Sequence, residues 1–373
     1  MNSKEAYLAL HLLDHVGPVR LKRLLEVFGR PEAILAASMS QLRQVHGLGE
    51  ETARSICDWE NRVDLVGELQ RIQQHPCQWI TLEDANYPQA LREIYDPPAV
   101  LYVQGSIEPC DHLGLAMVGS RRASAYGLES ARRLAIQMAR AQVSVISGGA
   151  RGVDGASHQG ALQAGGRTLA VLGSGLDCLY PRQHVGLFHR IAEHGALITS
   201  FPFGRHATRQ SFPMRNRIVA GMSLGVIVVE AGSSSGALIT AHQALDYGRL
   251  VFALPGRIDA LNSKGCHALI KQGAKLTEHA EDVLSEFEYL FPASRSGHKG
   301  SPSGKQKVEM TSEQRQLMLH LQGQELTVDA LIEACGLPVS QVSMLLSELE
   351  MKQWVKRLPG HQYQSLIALP LAP

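Results

Sequence analysis

Between Glu193 and Glu230 the chain has neither aspartate nor glutamate. Within that stretch stand Arg205, Arg209 and the run Phe212-Pro213-Met214-Arg215-Asn216-Arg217, so four arginines have no carboxylate close in sequence. Over all 373 residues, 36 lysines and arginines face 35 acids, a net charge of +1, so the cluster is a local concentration of cation. Neutral globular surfaces seldom leave such a cluster unpaired, and a phosphate backbone is the expected anion.

Other absences narrow the class. No apolar run approaches the roughly 18 to 20 residues a membrane span needs, and His11, Asp14 and His15 interrupt the N-terminal leucines. Neither a membrane segment nor a signal peptide is expected. Cys57, Cys77, Cys110, Cys178, Cys266 and Cys335 include no C-x-x-C pair, which argues against a disulfide framework or zinc ribbon and for reduced thiols in the cytoplasm. Gly173-Ser174-Gly175 has Cys178 where a dinucleotide fingerprint needs its third glycine, and Gly304-Lys305 is followed by Gln306 rather than Ser or Thr. NAD and P-loop nucleotide binding are thereby disfavoured. His11 and His15 lack the glutamate of H-E-x-x-H, and no His/Cys pair has zinc-finger spacing, so neither metal nor cofactor is expected.

The remaining pattern is that of a folded, soluble protein, with 45% hydrophobic and 19% charged residues, and the length favours two or three domains. Residues 1–75 read as helices separated by the glycine hairpins Val16-Gly17-Pro18 and His46-Gly47-Leu48-Gly49. Residues 79–290 alternate apolar runs (113–118, 143–146, 168–172, 196–199, 224–229, 250–254) with helical segments, the mark of a mostly parallel sheet covered on both faces. A flexible, basic Gly/Ser/Pro-rich linker is expected over 291–309, then three helices and a strand-turn-strand over 310–373 that suggest a winged helix.

In an open α/β sheet, ligands bind at the carboxyl ends of strands. Here those ends are glycine-rich: Gly119-Ser120-Arg121, Gly148-Gly149, Gly173-Ser174-Gly175 and Gly232 to Gly236. Glycine lets backbone N–H groups approach an anion, and the next helix adds its positive end. Arg121 can offer a bidentate fork, although a helix cap with a solvated arginine pair would look the same. Phe201, Phe203 and Phe212 interleave with the arginines, a mixture of stacking faces and cations that suits single strands, while core packing is the plainer role of a phenylalanine.

Two enzymatic readings compete. Gly232-Ser233-Ser234-Ser235-Gly236 fits a serine nucleophile elbow, with Asp246 or Asp259 and His267 or His279 as partners, though a capping or phosphate-cradling turn fits better. Glu230 and Asp154 could serve as acid and base of a nucleotide-phosphate hydrolase, or could simply cap turns. Arg20, Lys22 and Arg23 beside the first hairpin fit either phosphate binding or a structural role. The third C-terminal helix, Ser340 to Glu350, carries Glu348 and Glu350 and no Arg or Lys, which makes a poor groove reader; Lys352, Lys356 and Arg357 flank the wing.

An ordered series then stands out: Tyr87-Pro88, Pro97-Pro98, Val118 to Arg121, Ser147 to Asp154, Tyr180-Pro181, Phe212 to Ala220, Glu230 to Gly232, Ser235 to Leu238 and Leu254 to Gly256. It resembles the DNA-processing protein A (DprA, also Smf) family over nearly the whole chain. The resemblance implies an extended Rossmann-like core, an N-terminal SAM-like or helix-hairpin-helix domain and a C-terminal winged helix. It further implies a non-enzymatic, homodimeric binder of single-stranded DNA that protects incoming DNA and helps load the RecA recombinase during natural transformation. The implied DNA contacts are Gly119, Ser120, Arg121, Gly148, Gly149, Arg151, Phe201, Arg205, Arg209, Phe212, Arg215, Asn216, Arg217, Ser235 and Gly236. Where members of that family often have a lysine in the basic loop, this chain has only Arg205 and Arg209.

Overall fold

The computed structural model describes residues 1–287, 311–321, 324, 326–351, 354–358 and 362–365. The linker expected over 291–309, Lys352 and the Pro359-Gly360 turn lie outside the described residues.

The first compact unit, Met1–Ser294, is built on a nine-stranded sheet. In chain order its strands are β1 (Gln78–Thr81), β2 (Val100–Gly105), β3 (Leu115–Val118), β4 (Val145–Ser147), β5 (Thr168–Val171), β6 (Ala196–Thr199), β7 (Gly225–Val228), β8 (Leu250–Ala253) and β9 (Lys275–Leu276). In space they run β1-β2-β6-β5-β4-β3-β7-β8-β9. The strands β3 to β9 pair in parallel, and β1 and β2 join antiparallel at the β6 edge. Each residue of β3, β4, β5, β6 and β7 is buried, as expected for strands sandwiched between helices. Successive strands step outward from β3 in one direction as far as β6, then resume on its other side with β7. This reversal opens a crevice beyond the carboxyl ends of β3 and β7.

Helices Ala125–Arg140 and Val153–Gln163 lie on the sheet face where Leu134, Met138, Val145, Ile227 and Phe252 share one core. Helices Ser211–Gly221 and Gly236–Asp246 belong to the opposite core, with Ile218, Val219, Ala241 and Ala244 against Val118, Ile146 and Val226.

The N-terminal segment is helical, as its hairpins suggest, and is continuous with the sheet's core. Leu8, Leu10, Leu24, Ile34, Leu42 and Ile56 cluster with Tyr102, Phe188 and Phe203. Polar groups tie the same seam. The buried Glu68, on helix Leu65–Gln74, accepts the Tyr102 hydroxyl at 2.7 Å and the Phe203 backbone N–H at 3.1 Å. His11 Nε2 lies 2.7 Å from the Ser200 carbonyl, and burial lowers its pKa to about 4, so the neutral ring donates.

The second unit, Arg295–Pro373, contains helices Ser312–His320, Val328–Cys335 and Val339–Met351 with a small antiparallel sheet. Its strands β10 (Leu326–Thr327), β11 (Val355–Leu358) and β12 (Gln362–Ser365) are ordered β10-β12-β11. Thr311 and Thr327 cap the first two helices, and Leu317, Leu331, Leu345, Leu346 and Leu349 form the core. This is the expected winged-helix arrangement, with β10 added. Among the described residues no single helix is long and apolar enough to cross a membrane.

Candidate nucleic-acid interface

A cavity of about 600 Å³ occupies the crevice, walled by the turns that follow β3, β4 and β7 and by the start of helix Ser211–Gly221. After β3, the Ser120 N–H donates to the Glu230 carbonyl at 2.7 Å, fastening this turn to the one after β7. Gly119 can only be glycine in this packing, because a Cβ would stand 2.5 Å from Val153 and 2.9 Å from the Glu230 carbonyl. After β4, Gly148 leaves room for a side chain beneath it: a Cβ there would stand 1.5 Å from Arg215 Nη1.

Arg215 is therefore a floor residue. It is 3% exposed, gives Nη1 to the Val171 carbonyl at 2.9 Å, and leaves Nε without a partner. Burial lowers its pKa to about 10, opposed by the nearby Asp154, so it stays cationic at neutral pH. Asp154 is raised by burial and pulled back by Arg215 and by the Ala150 N–H. On the rim, the exposed Arg121 guanidinium lies 4.1 Å from the centre of the Phe212 ring. Arg121, Arg122, Arg209 and Arg215 all line the cavity, and none forms an ion pair among the described residues.

Gly119, Ser120, Arg121, Gly148, Arg209, Phe212, Arg215, Asn216, Ser235 and Gly236 come together in this cavity. Arg151 lines a small adjoining hollow with Tyr180 and Pro181, where the Tyr180 ring is 6.1 Å from Phe212. Gly149 and Arg205 line neither space, so of the two loop arginines it is Arg209 that reaches the cavity.

Two further expected contacts lie away from both spaces. Arg217 is buried against Asp96, its Nη1 3.2 Å from Oδ2 and also donating to the Asp96 carbonyl. Phe201 is 6% exposed and lines neither space, so it is a packing residue. The sequence reasoning passed over Tyr180 as a contact although it lies in a motif, treated Arg122 only as the neighbour of Arg121, and had no signal for Asn262, which a distant loop brings to the wall.

The enzymatic arrangements are not assembled among the described residues. The Glu230 carboxylate accepts both the Ser124 hydroxyl and its N–H, fixing the cap of helix Ala125–Arg140. Ser235 caps its own helix through Ala237 N at 3.3 Å. His267 bonds to the Gly256 backbone, Asp259 pairs with Arg257, and the His279 side chain caps the Ala280–Leu284 helix. Among the described residues no hydrogen bond joins either histidine to Ser234.

The N-terminal hairpins have glycine at the helix starts, Gly17 and Gly49, without side-chain caps. Glu50 and Glu51 fill the first turn after Gly49, and a carboxylate there occupies the positive helix end an anion would use. Arg20 and Arg23 donate to the His15 and His46 carbonyls, which fixes the hairpins to each other and to their helices.

Residues 78–288 match the DNA recombination-mediator protein A family, 301–361 the DprA winged helix domain and 8–58 the SAM-like helix-hairpin-helix tandem. Protein Smf of Synechocystis is 32% identical over 97% of this chain and 99% of its own. Protein Smf of Escherichia coli is 38% identical over 74% of each chain. The crystal structure of DNA processing protein A from Streptococcus pneumoniae superposes with a TM-score of 0.67 at 34% identity, covering 77% of this chain and 98% of that one. A structure of the Helicobacter pylori protein, described for its single-stranded DNA binding mode, reaches 0.52 at 29% identity over 57% of this chain and 97% of that one. With over half its length matched by one family and a full-length relative above 30% identity, this chain belongs to the DNA recombination-mediator protein A (DprA/Smf) family.

Proposed function

We propose that the chain binds single-stranded DNA in the cavity beyond β3 and β7, protects incoming DNA and helps load RecA during natural transformation, as a cytoplasmic homodimer without a catalytic step. One observation carries the binding: four arginines line one cavity whose described lining includes a single carboxylate, Asp154 near Arg215, and the Arg121 guanidinium stands 4.1 Å over the centre of the Phe212 ring. Cations in excess over carboxylates hold phosphates, and the Phe212 face takes a base, the combination that sequence-tolerant single-strand binding uses. The Helicobacter pylori relative's single-stranded DNA binding supports the same reading. The proposed contacts are Gly119 to Arg121, Arg209, Phe212, Arg215 and Asn216, with Ser235 and Gly236 offering the start of a helix; Arg217, held by Asp96, and the buried Phe201 are not among them.

The test is a salt titration of binding to single- and double-stranded oligonucleotides. Tighter binding to the single strand, with log Kd rising linearly with log salt, is expected. Equal affinity for both forms, or binding indifferent to salt, would overturn the reading. Loading is checked by whether the protein speeds RecA assembly on a strand already covered by single-strand-binding protein.

A further inference from the structure

A second cavity, of about 940 Å³, opens beside the arginine pocket, between the start of helix Ala125–Arg140 and the loop after β8. Asn262 lines both spaces, and its Nδ2 donates to the Arg122 carbonyl at 3.4 Å. The two cavities meet at that residue, and their chemistry is opposite.

Tyr126, Pro255 and Leu261 give the second cavity a largely apolar wall. The Tyr126 ring is 52% exposed and held in place by its hydroxyl, which donates to the Pro255 carbonyl at 2.9 Å; Leu261 is 80% exposed. Glu230 contributes a buried carboxylate, and Arg257 on the wall is already paired with Asp259 at 3.0 Å. A phosphate would meet an anion here and no free cation, so the space rejects the backbone. A nucleobase meets what it needs: an aromatic face, an aliphatic cover and an acceptor. Among the described residues Glu230 Oε1 accepts one hydrogen bond, from the Ser124 N–H at 3.0 Å, and a carboxylate oxygen with one bond can accept a second, from an exocyclic amine of adenine, cytosine or guanine.

We propose that this cavity is a base subsite: a strand whose phosphates lie in the arginine pocket turns over Asn262 and lodges one base between Tyr126 and Leu261. The proposal rests on the reading of the arginine pocket as a single-strand site.

The test measures the binding of oligonucleotides carrying one abasic position, moved stepwise along the strand, to the full chain and its Tyr126→Ala, Tyr126→Phe and Leu261→Asp variants. Stacking on one aromatic side chain predicts that Tyr126→Ala raises Kd about tenfold. The salt slope should not change, because no phosphate contact is lost. At one abasic position the penalty should vanish, since the base it acts on is gone. Tyr126→Phe keeps the ring but loses the bond to the Pro255 carbonyl that positions it, and should bind between the parent and Tyr126→Ala; Leu261→Asp, at an exposed position, should repeat the loss without disturbing the fold. Parental affinity in both Tyr126→Ala and Leu261→Asp, a changed slope, or a penalty indifferent to the abasic position would overturn the subsite. So would a change in oligomeric state at unchanged affinity, which would make this face a contact between copies. If the parent binds no single strand, the reading of the arginine pocket fails first. If the parent binds and Arg121→Ala flattens its slope while the Tyr126 and Leu261 variants are silent, only the subsite fails.

Discussion

The hairpins at Gly17 and Gly49 and the strand-end turns at Gly152 and Gly236 both place glycine at helix starts, yet their surroundings are opposite. At the second hairpin the first helical turn holds Glu50 and Glu51, while Arg20 and Arg23 each give one N–H to a hairpin carbonyl. At the strand ends the carboxylates Glu230 and Asp154 are tied to local turns, and four arginines stand free of ion pairs. Backbone donors alone do not make an anion site; what separates the two regions is whether the nearby charge has already been used.

The comparison can be broken by measurement. The largest effect is expected where a cation is already used. Arg217→Ala leaves the mostly buried Asp96 charge with the Tyr247 hydroxyl but no cation, and should cost about 3 kcal/mol of stability in a denaturant titration, with the salt slope of DNA binding kept. A flattened slope would return Arg217 to the DNA. Next in size is an acid effect at the seam of the helical segment. His11, held near 4 by burial against an ordinary value near 6.5, is neutral when folded and protonated when unfolded between those values. Stability it supports is complete above about pH 6.5 and is lost as pH falls toward 4. His11→Asn should therefore reduce the stability lost between pH 7 and pH 5 by about 2 kcal/mol; an undiminished loss would show that the ring is already charged in the fold.

Arg121→Ala should weaken single-strand binding about tenfold and flatten the slope by about 0.7. Parental affinity and slope in that variant would place the strand elsewhere. The smallest effect is at the second hairpin: Glu50→Gln with Glu51→Gln should leave affinity and slope where they were. A clear gain in affinity would mean that the hairpin does face the strand and that its acids had been opposing contact.

Much of the sheet is legible in sequence because a strand covered on both faces is a continuous apolar run, as at Leu115–Val118, which ends directly in Gly119, and at Gly225–Val228. The strands β9 and β10 are two residues long, too short to show any period. The arginine box shows the other limit. Arg215 and Arg217 are two positions apart on one helix, about 200° around its axis, so one faces the cavity while the other faces Asp96. Composition marks both equally, and only the packing of the helix against the sheet assigns their roles. Asn262 carries no motif at all; the loop that delivers it is placed by β8 and the helix Lys264–Lys271.

The Glu68 carboxylate has a bearing on how such a protein can be inherited. It sits in the helical segment, yet one of its oxygens holds both Tyr102 of the sheet and the backbone of Phe203, two residues before Arg205. A chimaera that exchanged the first seventy-odd residues for a foreign helical bundle would leave that loop without its anchor and the aromatic seam without its lid. The segment is thus less an appendage than part of the core's own support, and a crossover between distant members of the lineage should succeed only when it keeps Glu68 together with the loop it grips.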